Sequence, residues 1–335
     1  VTSTPRSAVL MADWAFATQF DPARLDRLAR LTQPISLEPV DLDDPAAASA
    51  LAGVEVLVTS WGAAELTRAR LDRLPAVAAL FHGAGTVRGI VTEAFWQRDP
   101  VVTTAADANA VPVAEFTVAS IVLAGKKAQY LARVAGEPGL GRESIAPSRF
   151  GNHHGAVGIV GFSRIGRRVV RMLAQLSGTR VLVADPYARR SEVEALGARL
   201  VPLDELLPRV RVLSIHAPEL PETHHLIGAA ALAALPDGAT VVNTARGSLL
   251  DHDALLQHCR AGRLDAVLDV TDPEPLPADS PLLRLPNVSI TPHVAGSLGA
   301  ETGLLVDSAL DELEAYVQGR PLRHRLERAA FARTA

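Results

Sequence analysis

A chain of 335 residues is longer than a single hydrophobic core usually grows, so two domains are expected. Hydrophobic residues at 48% and charged residues at 21% exclude a disordered or collagen-like chain, and a formal net charge of -4 leaves no electrostatic footprint for nucleic acid. The one cysteine, Cys259, has no partner for an internal disulfide, the apolar run before Asp13 is short for a signal sequence, and no stretch reads as membrane-spanning, so a cytoplasmic protein acting on a small molecule is expected.

From Ala8 to about Ala106 the apolar runs AVLMA, VEVLVTS, VAALFHG and VVTTAA alternate with amphipathic stretches such as PARLDRLARL, the pattern of βα units around a parallel sheet. A long helix is expected from near Val111 to Gly136, with apolar positions too dense for an exposed helix, and it carries the only two lysines, Lys126 and Lys127. Residues 137–155, rich in Gly, Pro and polar side chains, read as an irregular connection. Alternation then restarts with GAVGIVGF, RVLVADP, VRVLSIHAP, ATVVNTAR, LDAVLDV and NVSITPH, a second parallel sheet. The final helix, ETGLLVDSALDELEAYVQGR, comes too late for that sheet. The expected fold is therefore α/β with two doubly wound domains, a flavodoxin-like one at 1–110 completed by 301–335 and a Rossmann one at 111–300, with the cleft between them.

The strongest local signal is VGIVGFSRIGRRVVRML, a strand, a turn with Gly161 and Gly166, and a helix with Ile165, Val169 and Leu173 on one face. Dinucleotide-binding turns use three glycines, and here Ser163 stands at the second, small enough to preserve the approach to a pyrophosphate and able to donate from its hydroxyl. Asp185, about 20 residues after the last glycine, stands where a carboxylate holds the adenosine ribose hydroxyls. Its charge favours NAD over NADP, although Arg189 and Arg190 keep the 2′-phosphorylated form open. The bland alternative, a glycine turn that only packs tightly, loses weight because strand, helix and distal Asp occur together.

Three later segments place chemically useful side chains at the C-terminal ends of predicted strands, where α/β folds bind ligands: Arg246 in NTARG, Glu274 in DVTDPEP and His293 in SITPH. Hydride removal from an alcohol carbon requires loss of the hydroxyl proton, which a histidine can accept near neutral pH. Glu274 would fix the tautomer of that imidazole, and the planar Arg246 guanidinium suits a substrate carboxylate. No metal is needed. Singly, Arg246 could cap a helix, Glu274 could be a loop carboxylate and His293 a satisfied histidine. The pairs His153-His154 and His224-His225 read as loop residues and not metal ligands, since adjacent side chains on an extended chain point apart.

GIVGFSRIG, HAPELPETHHLI, NTARGSLLD, LDVTDPEPLP and NVSITPHVAGS, in that order and spacing, resemble the successive signatures of the D-isomer-specific 2-hydroxyacid dehydrogenases. The first hundred residues resemble the family in architecture and in GAG and VAE. The resemblance implies an NAD-dependent hydride transfer at C2 of a small 2-hydroxy or 2-keto acid, with Arg246 binding the substrate carboxylate, His293 as acid/base and Glu274 as its partner. It implies cofactor contacts from Gly161, Ser163, Arg164, Ile165, Gly166, Asp185, His216, Thr223, Thr244, Ala245 and Asp269, and a homodimer formed through the cofactor domains.

In the first domain, HGAGTV resembles the loop whose amides bind the substrate carboxylate, pointing to Gly83, Ala84 and Gly85. The family usually continues this loop with an Asp-Asn pair, whereas this chain reads TVRGIVTEAFW, with Arg88 as an added charge. TSWGAAELT resembles the segment where phosphoglycerate dehydrogenases supply an arginine, but Trp61 stands at that position, which disfavours phosphoglycerate and suits an apolar substrate side chain. Two other readings remain open: an NAD-sensing scaffold of the corepressor kind, and a formate or phosphite dehydrogenase of the same superfamily.

Overall fold

A computed structural model describes residues 4–136, 138, 151–153, 155–176 and 178–331. The chain divides into two compact units, one of residues 1–109 with 297–335, the other of residues 110–296.

The first unit is built on five parallel strands, β1 (Arg6–Leu10), β2 (Gln33–Pro34), β3 (Val56–Thr59), β4 (Ala79–His82) and β5 (Val101–Thr104), in the order β2-β1-β3-β4-β5. That is the flavodoxin-like order. Successive residues of a strand face opposite sides of the sheet, which gives the core two halves. Val56, Val58, Ala79 and Phe81 belong to one cluster, and Leu57 and Leu80 to the other. Both faces are covered, so these strands read as continuous apolar runs. The helix Thr302–Val317 closes the first face with Val306, Ala309, Leu310 and Leu313, and is tied to the helix Pro22–Leu31 by Arg24 on Asp307 (2.8 Å) and Arg27 on Glu314 (2.7 Å).

The second unit carries seven parallel strands, β6 (Ala156–Val160), β7 (Arg180–Ala184), β8 (Arg199–Leu200), β9 (Val210–Ile215), β10 (Thr240–Asn243), β11 (Asp265–Leu268) and β12 (Val288–Ile290). Their order, β12-β11-β10-β9-β6-β7-β8, is that of a Rossmann sheet extended by one strand. Val157 and Ile159 face one cluster, Ala156 and Val160 the other. Helices again cover both faces.

Three expectations are corrected. The edge strands β2 and β8 have two residues each and no apolar run, so pattern reading passes over them. The long helix runs from Ala106 to Gly125 and ends there, a second helix occupying Ala128–Arg133. Between them Lys127 takes a φ of +54° and buries its ammonium on Asp265 (2.7 Å) and Thr240 (3.0 Å), so a lysine inside the apolar pattern ends the helix instead of continuing it. By length and composition Ala106–Gly125 does qualify as a membrane span, although half of its apolar window is buried within the structure. The irregular connection at 137–155 lies mostly outside the described residues.

Candidate active site

β6 delivers the chain into Gly161, whose φ of +98° and closeness to β9 both demand glycine: a Cβ there would lie 2.5 Å from the Ala217 nitrogen. A Cβ on Gly166 would lie 2.1 Å from the Gly161 carbonyl oxygen, so the helix Arg164–Leu173 rests directly on the turn. Ser163 is its N-cap, accepting from the Gly166 amide at 3.4 Å, and its O–H stays available as a donor. Asp185, at the end of β7, accepts from the Phe162 amide (2.6 Å) through Oδ2 and from Tyr187 (2.7 Å) and Ala188 (3.1 Å) through Oδ1. The carboxylate thus braces the glycine turn, and Oδ2, with one donor, retains acceptor capacity. A bare turn, a ten-residue helix N-terminus and a carboxylate beside it are what a dinucleotide requires, and these residues fit one.

Beyond Asp185, Glu192 binds Arg189 through Nε (2.6 Å) and Arg167 through Nη1 (2.8 Å). Those bonds, Arg189 first, hold the Glu192 carboxyl below its ordinary pKa.

At the other half of the sheet, Asp269 follows β11, is 2% exposed and organises the loop after β12. Its Oδ1 accepts from Thr291 Oγ1 (2.6 Å) and the Val294 amide (2.9 Å), its Oδ2 from the Ala295 amide (2.9 Å), and its backbone oxygen from the His293 amide (2.9 Å). His293, at the centre of this wrap, is held at a φ of +54°, a conformation non-glycine residues adopt only under constraint. Its Nδ1 lies 2.6 Å from Glu274 Oε1. A carboxylate on Nδ1 fixes that hydrogen and leaves Nε2 as the second, outward-facing ring nitrogen.

Arg246 leaves β10 in extended conformation, clamped by Asn243, whose side chain donates to the Arg246 carbonyl (2.8 Å) and accepts from the Ala245 amide (3.0 Å). Its guanidinium donates to the Ala245 carbonyl (2.7 Å) and stands 3.8 Å from Glu219. Gly247 lets this turn press against the loop that carries Glu274, since a Cβ would lie 2.1 Å from the Thr271 carbonyl carbon. Sequence reading missed Asn243 and Gly247. The glycine after Arg246 was the only visible hint.

Several of the expected cofactor contacts have their side chains bonded to neighbouring groups of the protein. Thr223 Oγ1 donates to Pro218 O (2.7 Å) and accepts from the Leu220 amide (2.9 Å). Thr117 Oγ1 donates to Val113 O, so the buried Thr244 hydroxyl, 2.7 Å away, donates to Thr117. His216 Nε2 bonds Ser214 (2.8 Å), and complete burial pushes the imidazole pKa down to about 3. These side chains shape turns that present backbone. The His224 and His225 rings do not point apart as expected: they stack at 4.0 Å, because His225 has a φ of +50° and the chain there is not extended. Among the described residues no cluster of metal-ligating side chains occurs. His154 lies outside them.

In the first unit, β4 ends at the Gly83-Ala84-Gly85 loop. The Gly83 carbonyl accepts from Gln19 Nε2 (3.0 Å) and Ser60 Oγ (2.9 Å), both buried. A planar peptide pinned at its oxygen points the Ala84 N–H the opposite way. Neither the Ala84 nor the Gly85 amide finds an acceptor among the described residues. Half-buried Trp61 follows β3 and stacks on Trp14 at 5.8 Å.

Sheet order, glycine turn and Asp185 define a dinucleotide-binding α/β protein. Residues 139–295 match the NAD binding domain of the D-isomer specific 2-hydroxyacid dehydrogenases. A D-3-phosphoglycerate dehydrogenase of Archaeoglobus fulgidus is 33% identical over 240 residues, 71% of this chain and 45% of that enzyme. A glyoxylate reductase of Korarchaeum cryptofilum is 37% identical over 164 residues, 49% of either chain. The chain spans about half the length of the curated relatives it matches. Among solved structures, a Thermus thermophilus protein aligns over 96% of this chain and 100% of its own at a TM-score of 0.73 and 28% identity. The apo D-mandelate dehydrogenase of Rhodotorula graminis reaches 0.81 over 97% of this chain and 98% of its own, and at 22% identity it speaks for the fold alone. The chain carries the NAD-binding domain of the D-isomer-specific 2-hydroxyacid dehydrogenases.

Proposed function

We propose that the protein is an NAD-dependent oxidoreductase that moves a hydride to or from C2 of a small 2-hydroxy or 2-keto acid. The observation that carries this reading is the 2.6 Å contact of His293 Nδ1 with Glu274 Oε1 on the loop that Asp269 braces. NAD supplies the hydride acceptor when bound. Gly161, Gly166 and the start of the helix Arg164–Leu173 hold its pyrophosphate, with Ser163, Arg164 and Ile165 around it, and Asp185 Oδ2 takes a ribose hydroxyl. His216, Thr223, Thr244, Ala245 and Asp269 shape the turns beside it. Asp185 repels a ribose 2′-phosphate, and Glu192 engages Arg189 and Arg167 while Glu194 pairs with Arg190, so NAD is preferred.

His293 Nε2 removes the hydroxyl proton when the alcohol is oxidised and returns it when the keto acid is reduced, while Glu274 holds Nδ1 protonated and stabilises the imidazolium. Arg246 binds the substrate carboxylate and polarises the C2 oxygen. Ala84 and Gly85 offer further amide donors in the first unit, and Trp61 stands where the substrate side chain is recognised.

NADH oxidation against glyoxylate, pyruvate, hydroxypyruvate and phenylpyruvate tests the reading. We expect turnover of at least one acid, and a kcat lower by about 10²–10⁴ in His293→Ala. NADH binding without turnover of any member would favour the cofactor-sensing alternative. We also infer a homodimer formed through the NAD-binding domains, supported by the exposed Val111 and Leu123 on Ala106–Gly125. A monomeric mass by light scattering at micromolar concentration would refute it.

A further inference from the structure

We infer that Trp14 and Trp61 form an aromatic platform that selects 2-keto and 2-hydroxy acids with an aryl side chain; this rests on the hydride-transfer reading above and names its substrate class. The register of the first sheet carries the argument. Leu10 of β1 pairs with Thr59 of β3, and Thr59 pairs with His82 of β4. Two residues further on, Trp61 and Ala84 therefore stand level past the C-terminal ends of β3 and β4. On the other side β1 slips by one residue, the Ala12 amide on the Trp61 carbonyl at 2.9 Å setting Ala12 against Gly62, while the Gly83 amide keeps the β4 ladder to the Thr59 carbonyl at 2.7 Å. Such strand ends are the ligand-binding edge of an open α/β sheet.

The platform is built, not incidental. Gly62, at a φ of +76°, brings the chain so close to Ala12 that a Cβ would lie 2.5 Å from the Ala12 Cβ. This seats Trp61 beside the first turn of the helix Asp13–Gln19, where Trp14 stands. The two rings stack with centroids 5.8 Å apart and planes 16° from parallel, within the range of favourable aromatic pairs. Trp61 is half-buried against the sheet, whereas Trp14 is 60% exposed, a large indole area left open to a third ring. The Ala84 and Gly85 amides proposed for the carboxylate lie one strand over, about 5 Å away laterally. In an arylmethyl keto acid the ring lies one methylene beyond C2 and reaches outward across that gap, and in an aryl keto acid it starts directly on C2. A methyl group or hydrogen in its place would leave the indoles untouched.

The test compares kcat/KM for phenylpyruvate and benzoylformate with that for pyruvate and glyoxylate, in the wild type, Trp14→Ala and Trp14→Phe. Phenyllactate and lactate binding to the NADH-loaded protein is measured calorimetrically alongside. Trp14 is exposed enough for its variants to fold. The expected result is an aryl preference in the wild type of about tenfold or more, a fall of that ratio by about five- to tenfold in Trp14→Ala, and recovery of most of it in Trp14→Phe. Turnover of pyruvate or glyoxylate with no aryl preference, or a ratio unmoved in Trp14→Ala, overturns the platform and leaves the hydride reading standing. Phenyllactate binding that weakens in Trp14→Ala, with no turnover of any keto acid, supports the platform as a binding site and overturns the hydride reading. Neither turnover nor aryl binding overturns both.

Discussion

Two histidines outside the proposed chemistry make the fold sensitive to acid. His82, at the end of β4, bonds Thr59 through Nδ1 at 2.9 Å and is almost wholly buried, which lowers its pKa to about 4. His216 in the second unit is pushed lower still, to about 3, by burial alone. In the unfolded chain both protonate near 6.5, so between about pH 6.5 and 4 the unfolded state binds more protons and stability falls as pH falls. The His82 shift corresponds to about 3 kcal/mol, fully present above pH 6.5 and lost toward pH 4. Urea unfolding at pH 7 and at pH 4.5 should show a smaller acid loss in His82→Gln than in the wild type. Equal losses would mean that the His82 site relaxes and admits water. Neither histidine was marked by sequence as a stability element, because burial is a property of the packed sheet and not of HGAG or IHAP as strings.

The elements that matter for the site are loops held against one another, and Gly247 shows the principle. Its missing Cβ lets the Arg246 turn lie on the backbone of Thr271 and Asp272, and so couples the guanidinium to the segment leading to Glu274. In Gly247→Ala the neighbour to be displaced is backbone, which cannot rotate away. We expect a loss of about 1–3 kcal/mol in stability, with kcat reduced by more than unfolding explains at the assay temperature. Thermal unfolding and kcat on the same preparation check this, and wild-type values for both would refute the coupling. Strands with apolar runs, the glycine turn, Asp185, Arg246, Glu274 and His293 were legible because each carries a spacing or composition set by its chemistry. The braces were not. Asn243, Ser60 and Gln19 are ordinary polar residues whose partners lie 2 to 64 positions away, and only the folded register brings them to a carbonyl or amide. Asp269 was read as a cofactor contact, and its three side-chain bonds show it as the post around which the His293 loop is wound.

At the scale of the molecule, the two units differ in how the chain makes them. The second is continuous in sequence, has its own cores on both faces of a seven-stranded sheet, and contains every residue proposed to hold the cofactor. The first is closed only when the chain returns. Val306, Leu310 and Leu313 complete one face of its core, Glu312 accepts from the Arg323 and His324 amides, and the Leu326 amide reaches the Val102 carbonyl of β5. Burying three such side chains is worth about 1.5–3 kcal/mol each, enough to consume the ~5 kcal/mol at the lower end of domain stability. A fragment of residues 106–296 should therefore unfold cooperatively and bind NADH, read by calorimetry and cofactor fluorescence. A chain ending at residue 296 should keep that transition and lose the one belonging to the first unit. If the 106–296 fragment neither melts cooperatively nor binds NADH, the second unit depends on the first for its fold. If the shortened chain retains both transitions, the returning helix is an ornament on a sheet that stands without it.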